Sequence, residues 1–286
     1  MKTLRDYFLK AKAEKWAVGH FNFSTADQLR AIVETATELK SPVMAGASEG
    51  ESEFIGYAQA VALVKSYQQQ GHPVWLNADH HKSFESCRKA IDAGYDTVLI
   101  DASRLNLDEN IFTTSQVVRY AKEKNPQTTI EGELGYLRGS SEIQEKIEIS
   151  SDDYARPEQA ESFVAQTKVD RLAIAFGNIH GITTKQEMRL DMGLLKKIVA
   201  IAPDTVLVLH GGSGLPQSEI QEAIKNGISN VHINTDLRVA YHNALEEELE
   251  EEPNQTTPYK FLAPSFEAMK KMVKQKLELF GSTGKS

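Results

Sequence analysis

Three histidines each end an apolar run. Val74-Trp-Leu-Asn-Ala-Asp79-His80, Leu172-Ala-Ile-Ala-Phe-Gly-Asn-Ile-His180 and Val206-Leu-Val-Leu-His210 all pass from strand-forming residues to an imidazole. Core strands favour Val, Ile and Leu, and a buried His needs a partner. Three such endings therefore point to ligands gathered at one rim. A neutral imidazole binds zinc well, and three protein ligands with one open position is the arrangement of a catalytic zinc. His81 competes with His80 for the first position, and His20 ends a further run. His72 and His242 read as surface residues. Asp79 stands directly before His80. It either caps the helix that starts near Ser83 or moves a proton to and from a substrate hydroxyl. Asp101, in Leu-Ile-Asp-Ala-Ser, either fixes the tautomer of a ligand His or acts directly. Glu131 and Glu133 are two apart on a strand and share one face, which beside a metal reads as a functional pair.

Gly211-Gly-Ser213-Gly214 and Asn234-Thr235-Asp236 suit a second task. Glycine-rich backbone N–H groups and a helix N-terminus make an anion cradle. Barrel enzymes often build that cradle after strands seven and eight.

These residues need elements to position them. Strand patterns fall at Ala17–Asn22, Pro42–Ala47, Val74–Ala78, Thr97–Ile100, Thr128–Gly132, Arg171–Ala175, Thr205–Leu209 and Asn230–Asn234. Helical patterns between them fall at Thr25–Leu39, Phe54–Gln69, Phe84–Ala93, Leu107–Lys124, Pro157–Thr167, Met192–Ile201, Pro216–Asn226 and Thr235–Glu251. Regular alternation of near-continuous apolar strands with helices predicts a parallel sheet. Eight units predict an α/β (β/α)8 TIM barrel, with an open doubly wound sheet as the competitor. The polar residues decide between them. They follow the third, fourth, fifth, sixth, seventh and eighth strands at their C-terminal ends, whereas an open sheet concentrates its site at one switch point. The chain 1–286 reads as one barrel domain, with a helical tail over about 253–286 that packs on the barrel or on a partner subunit. Leu134–Arg156 is long, polar and Ser-rich, the character of a mobile active-site loop.

With 286 residues, 41% hydrophobic and 25% charged, the composition is that of a globular protein. A net charge of −8 gives no support to a nucleic-acid partner. No apolar run approaches a membrane span, and the charged N-terminus lacks a signal-peptide core. The single Cys87 forms no internal disulfide and fits a reducing compartment, so the expected location is cytoplasmic.

The chain resembles the class II, zinc-dependent ketose-bisphosphate aldolases, the fructose- and tagatose-bisphosphate group. The resemblance runs over nearly the whole length. Its carriers are Ala78-Asp-His-His81, Val98-Leu-Ile-Asp-Ala-Ser103, Glu131-Gly-Glu-Leu-Gly135, Ala175-Phe-Gly-Asn-Ile-His-Gly181, Val208-Leu-His-Gly-Gly-Ser-Gly214 and Thr235-Asp-Leu-Arg238. The resemblance implies a lyase that splits a ketose 1,6-bisphosphate into dihydroxyacetone phosphate and an aldehyde such as glyceraldehyde 3-phosphate. It implies one zinc ion held by His80, His180 and His210, with Glu133 able to contact it, and a nearby monovalent cation, Na+ or K+. It implies Asp79 as the proton carrier at the C4 hydroxyl, and a loop Glu as the carrier at the dihydroxyacetone-phosphate carbon. Asn22, Ser48, Gly181, Gly211, Gly212, Ser213, His232, Asn234 and Thr235 are the implied substrate contacts. A homodimer or homotetramer is the implied assembly.

Three departures from the family pattern bear on function. The family loop usually reads Gly-Gly-x-Glu-Asp, and here it is Arg138-Gly-Ser-Ser-Glu142. An ungapped match places Ser141 at the catalytic Glu, and a one-residue insertion places Glu142 there; Glu142 is the expected carrier. The strand-eight motif, commonly Asn-Ile-Asp-Thr-Asp, is here His232-Ile-Asn234-Thr-Asp236. Phe266 matches the tail position whose basic residue usually receives the second phosphate of a neighbouring subunit's substrate. An aromatic cannot pair with phosphate. Two other readings follow: an aldolase for a ketose 1-phosphate without the distal phosphate, or a non-catalytic sugar-phosphate-binding homologue.

Overall fold

The structure is a computed structural model, and it describes residues 2–286. Eight parallel strands close into a barrel: β1 (Val18–Asn22), β2 (Val43–Ser48), β3 (Val74–His81), β4 (Thr97–Ile100), β5 (Thr129–Leu134), β7 (Arg171–Ile174), β9 (Val206–Leu209) and β10 (Ile228–Ile233). The remaining two, β6 (Gly139–Gln144) and β8 (His180–Thr183), pair with each other outside the barrel. All eight expected strands are present, with helices between them, and the closed barrel excludes the open sheet.

Alternation along each strand separates two environments. Residues pointing outward are aliphatic: Val43 and Ala45 on β2, Leu76 and Ala78 on β3, Leu172 and Ile174 on β7, Val231 and Ile233 on β10. They pack under the helices in one continuous core. Residues pointing inward are largely polar. Asn77, Thr97, Glu131, Arg171, Asn230 and His232 are all buried.

Helix α1 (Leu4–Glu14) lies under the N-terminal end of the barrel. Leu4, Tyr7, Phe8 and Ala11 recur at helical spacing, and all are buried with Trp16, Val18, Met44 and Val206. Thr3 and Asp6 form a capping box at its start. This helix does not figure among the sequence patterns above, since charges interrupt its short apolar stripe.

Helix α10 (Thr235–Glu251) follows β10, and the tail forms α11 (Pro258–Phe261) and α12 (Ala263–Leu279). The second tail helix packs against α10 and α2 (Ala26–Glu38), so it closes the ring of its own barrel. Met269, Val273 and Leu277 supply the buried stripe, and Lys276 pairs with Asp236 at 2.5 Å. No helix of the described residues is long and apolar enough to cross a membrane.

The segment Leu134–Arg156, expected as a mobile loop, contains β6 and a short 3-10 turn at Ser151–Asp153. Its parallel pairing with β8 sets Gly139 beside His180. His180 N–H donates to the Arg138 carbonyl at 2.9 Å, so the loop and the histidine share one small sheet.

Candidate active site

The C-terminal ends of the barrel strands open into a cleft of about 450 Å³. Asp79, His80, Asp101, Glu133 and His180 line it. His80, the residue before the end of β3, has a left-handed conformation, with φ 47°. That twist separates it from His81, which turns away to pack edge-on against Tyr57 with ring centroids 6.0 Å apart. His80 is therefore the histidine that faces the cleft.

The rings of His180 and His210 stand 4.8 Å and 4.7 Å from that of His80, centroid to centroid. His80 Nε2 and His210 Nδ1 face each other at 2.9 Å. The opposite nitrogen of each ring meets a carboxylate: His80 Nδ1 lies 3.1 Å from Asp101, and His210 Nε2 lies 2.7 Å from Glu131. If each of those outer nitrogens donates its N–H, two lone pairs confront each other at hydrogen-bond distance. Such an arrangement needs a proton or a cation to be stable. Carboxylates that orient imidazoles from behind are the usual support of metal-binding histidines. The donor set therefore fits a divalent ion. Ligand atoms of Asp79, His80 and His210 lie within 4.8 Å of one another, as do those of His80, Asp101 and Glu133.

The surrounding carboxylates draw positive charge, a proton or a cation, to His80, and burial keeps His180 neutral. Burial opposes charge on His80, yet Asp79, Asp101 and Glu133 outweigh it and raise its pKa to about 10. Burial, reinforced by His80 and His210, pushes His180 down to about 3, so it stays a neutral donor. Burial opposes the ionisation of Asp101, but hydrogen bonds from His80 and Ser103 hold its carboxyl below the ordinary range. Glu133 is raised well above it by burial and by the Asp101 charge.

A second layer supports the first from below. Arg171 is fully buried inside the barrel and bonds Glu131, Asn230 and Asn77, at 2.5, 2.8 and 3.1 Å. Burial opposes the Glu131 charge, but Arg171 and His210 hold its pKa down. Asn22 Nδ2 donates to Asp79 Oδ2 at 3.0 Å and to Glu51 Oε2 at 2.9 Å. His232 lies 3.4 Å from the other Asp79 oxygen and stacks on His20 with centroids 3.6 Å apart.

The glycine-rich turn and the start of α10 meet beside this cluster. Gly181, Gly211, Ser213, Asn234 and Thr235 line a small recess together with Asp79, His180 and His210. Gly211 has φ 65°, and a Cβ there would lie 1.8 Å from the Ile179 carbonyl oxygen, so no side chain fits. Gly212 N–H donates to the His232 carbonyl at 3.2 Å. The Asp236 amide donates to Ser213 Oγ at 3.1 Å. Ser48 caps α3 (Glu49–Ile55) and also lines the cleft.

One expected site residue lies outside the cleft. Glu142 is exposed and outside the cleft lining, where Ser140 and Ser141 stand instead. The β6–β8 pairing and the Arg238 hydrogen bond to the Ser141 carbonyl, 2.9 Å, hold the strand in that setting. Phe266 sits on the outer flank, with the Arg30 guanidinium 4.9 Å over its ring. The sequence reading did not anticipate Arg171, Asn77, Asn230, Thr97 or Glu51. Their signal was polar residues at period two inside otherwise apolar strands, and a Glu three residues after a capping Ser.

Comparison with known proteins agrees with this architecture. The family described as Fructose-bisphosphate aldolase class-II matches residues 2–285. A fructose-bisphosphate aldolase of Geobacillus stearothermophilus is 37% identical over 288 residues, covering 99% of this chain and 98% of that protein. The crystal structure of the YdjI aldolase from Escherichia coli K12 superposes with a TM-score of 0.82 at 28% identity, covering 99% of this chain and 98% of the other. A putative fructose-1,6-biphosphate aldolase from Coccidioides immitis shares the fold, with a TM-score of 0.86 at 23% identity and coverage of 99% and 97%. The chain belongs to the class-II fructose-bisphosphate aldolases, a family of metal-dependent lyases that act on sugar phosphates.

Proposed function

We propose that the chain cleaves and forms a ketose 1,6-bisphosphate of the fructose or tagatose type, with dihydroxyacetone phosphate and glyceraldehyde 3-phosphate as the other side of the equilibrium. The observation that carries this reading is the convergence of His80, His180 and His210 beside Asp79, with carboxylates behind two of the rings. Zinc is the proposed ion, and when bound by these histidines it supplies Lewis acidity toward the ketose carbonyl. Glu133 is a further candidate contact for it. A monovalent cation beside the glycine-rich turn is part of the same proposal.

The chain's own groups divide the remaining work. Backbone N–H groups of the glycine-rich turn other than Gly212, together with the start of α10 at Thr235, hold the C1 phosphate. Gly181, Ser213 and Thr235 complete that seat. Asp79 accepts the C4 hydroxyl proton as the C3–C4 bond breaks. The O–H electron pair forms the aldehyde carbonyl, and the C3–C4 pair passes into the enediolate of the three-carbon half. Asn22 and His232 keep the Asp79 carboxylate aimed at that hydroxyl. Asn234, Ser48 and Asn22 contact the sugar hydroxyls. Glu142 returns a proton to the enediolate carbon; its carboxylate accepts from Ser140 Oγ at 3.2 Å, one residue outside the lining. In condensation each proton moves the other way.

The uncharged side chain of Phe266 favours one second reading, a ketose 1-phosphate that lacks the distal phosphate. The decisive experiment follows solvent exchange of the dihydroxyacetone-phosphate proton in zinc-loaded protein, together with cleavage of ketose mono- and bisphosphates. Exchange plus cleavage supports the proposal. No exchange assigns the chain as a non-catalytic binder. The proposed assembly is a homodimer or homotetramer, and the family resemblance is its only support. The proposed location is the cytoplasm, supported by a lone buried Cys87.

A further inference from the structure

We infer that Lys82 and Arg104 seat a second anionic group at the far end of the substrate, within one chain. The inference rests on the aldolase reading above. Strands four places apart in an eight-stranded barrel lie on opposite sides. The barrel order β1-β10-β9-β7-β5-β4-β3-β2 therefore sets β9 across from β3 and β10 across from β4. The glycine-rich turn follows β9, and the start of α10 follows β10. Lys82 follows β3, and Arg104 follows β4. A substrate whose first phosphate sits in that turn, and whose carbonyl lies among His80, His180 and His210, must direct its far end toward Lys82 and Arg104.

Both residues line the cleft. Neither forms a salt bridge among the described residues, whereas Arg138 on the neighbouring loop is paired with Asp153. The nearby acid Asp101 is already engaged by His80 and Ser103. Arg104 is oriented without losing its donors. Its guanidinium lies 5.5 Å over the Tyr136 ring, a contact that leaves the N–H fork free. Lys82 is held near Glu49 through its backbone N–H, which donates to that carboxylate at 3.0 Å, and its ammonium forms no ion pair. Two cations without an ion-pair partner on one rim, at the end of a cleft whose other charged lining includes Glu51, Asp79, Asp101 and Glu133, match an anion at that end. The chemistry is that of a terminal phosphate or a terminal carboxylate. This seat takes the role that an uncharged Phe266 cannot fill.

The test uses three ketose 1-phosphates that differ only at the far end: phosphate, carboxylate or hydroxymethyl. The full-length wild type and the K82Q/R104Q double variant are assayed for kcat/KM on each. The expected result is a wild-type preference for an anionic end of at least tenfold over the neutral end. That ratio falls at least tenfold in the variant, mainly through KM. The anion that gains more identifies the natural terminus. Equal turnover of all three by the wild type overturns the inference, and so does a ratio the variant leaves intact. Loss of dihydroxyacetone-phosphate exchange in the wild type would instead remove the aldolase reading itself, so the two failures are distinguishable.

Discussion

Arg171 and Glu131 form an ion pair of 2.5 Å inside the barrel, and neither side chain is exposed. The pair lies directly beneath the site, because the other oxygen of Glu131 holds His210. A charge this deep needs full compensation, and Arg171 also satisfies Asn77, Asn230 and Thr97.

Replacing Arg171 with Met leaves Glu131 without its counter-charge. Breaking a buried pair on one side costs about 3–5 kcal/mol. Urea unfolding of R171M should lose stability of that order. The double variant R171M/E131Q should recover part of it, because it removes the unpaired charge.

Much of this fold is legible in the sequence. The eight apolar runs and the polar residues at their ends come through because outward faces must be aliphatic to pack under helices. The barrel interior is harder to read. Asn77, Thr97, Arg171 and Asn230 look like interruptions of a strand until closure of the barrel brings them together. Helix α1 also escapes, because its stripe of Leu4, Tyr7, Phe8 and Ala11 is short and lies among charges. The setting of Glu142 depends on the β6–β8 pairing, which joins residues about 40 positions apart and leaves no local signal.

Asp79 carries a separable role. Asp79→Asn keeps the side-chain shape and its contact with Asn22. Loss of a positioned proton carrier typically costs 10²–10⁴-fold in rate. D79N should therefore lose about that much kcat for cleavage, while zinc content measured by atomic emission stays near that of the wild type. A kcat within threefold of wild type would remove Asp79 from the mechanism.

The loop separates two neighbours. Glu142→Gln should slow solvent exchange of the dihydroxyacetone-phosphate proton by about 10²-fold. Ser141→Ala, which changes no titratable group, should slow it far less. The reverse order would move the proton transfer to the cleft-lining serine or to a water it holds.

Cys87 is buried among apolar residues, and burial pushes its thiol pKa upward, so thiolate is scarce at neutral pH. Native protein at pH 8 should resist iodoacetamide for hours, while urea-unfolded protein is modified within minutes; mass spectrometry distinguishes the two. Rapid labelling of the native form would show that the packing between β3, β4 and the helix Phe84–Ala93 opens readily.

One divalent ion shared by His80, His180 and His210 leaves a stoichiometric signature in a zinc titration of metal-stripped protein. Cleavage of a ketose 1,6-bisphosphate should be absent at the start, rise linearly, and level off at one zinc per chain. His210→Asn should stay inactive throughout the same titration. Full cleavage by the stripped protein, or a plateau that H210N also reaches, would contradict the account.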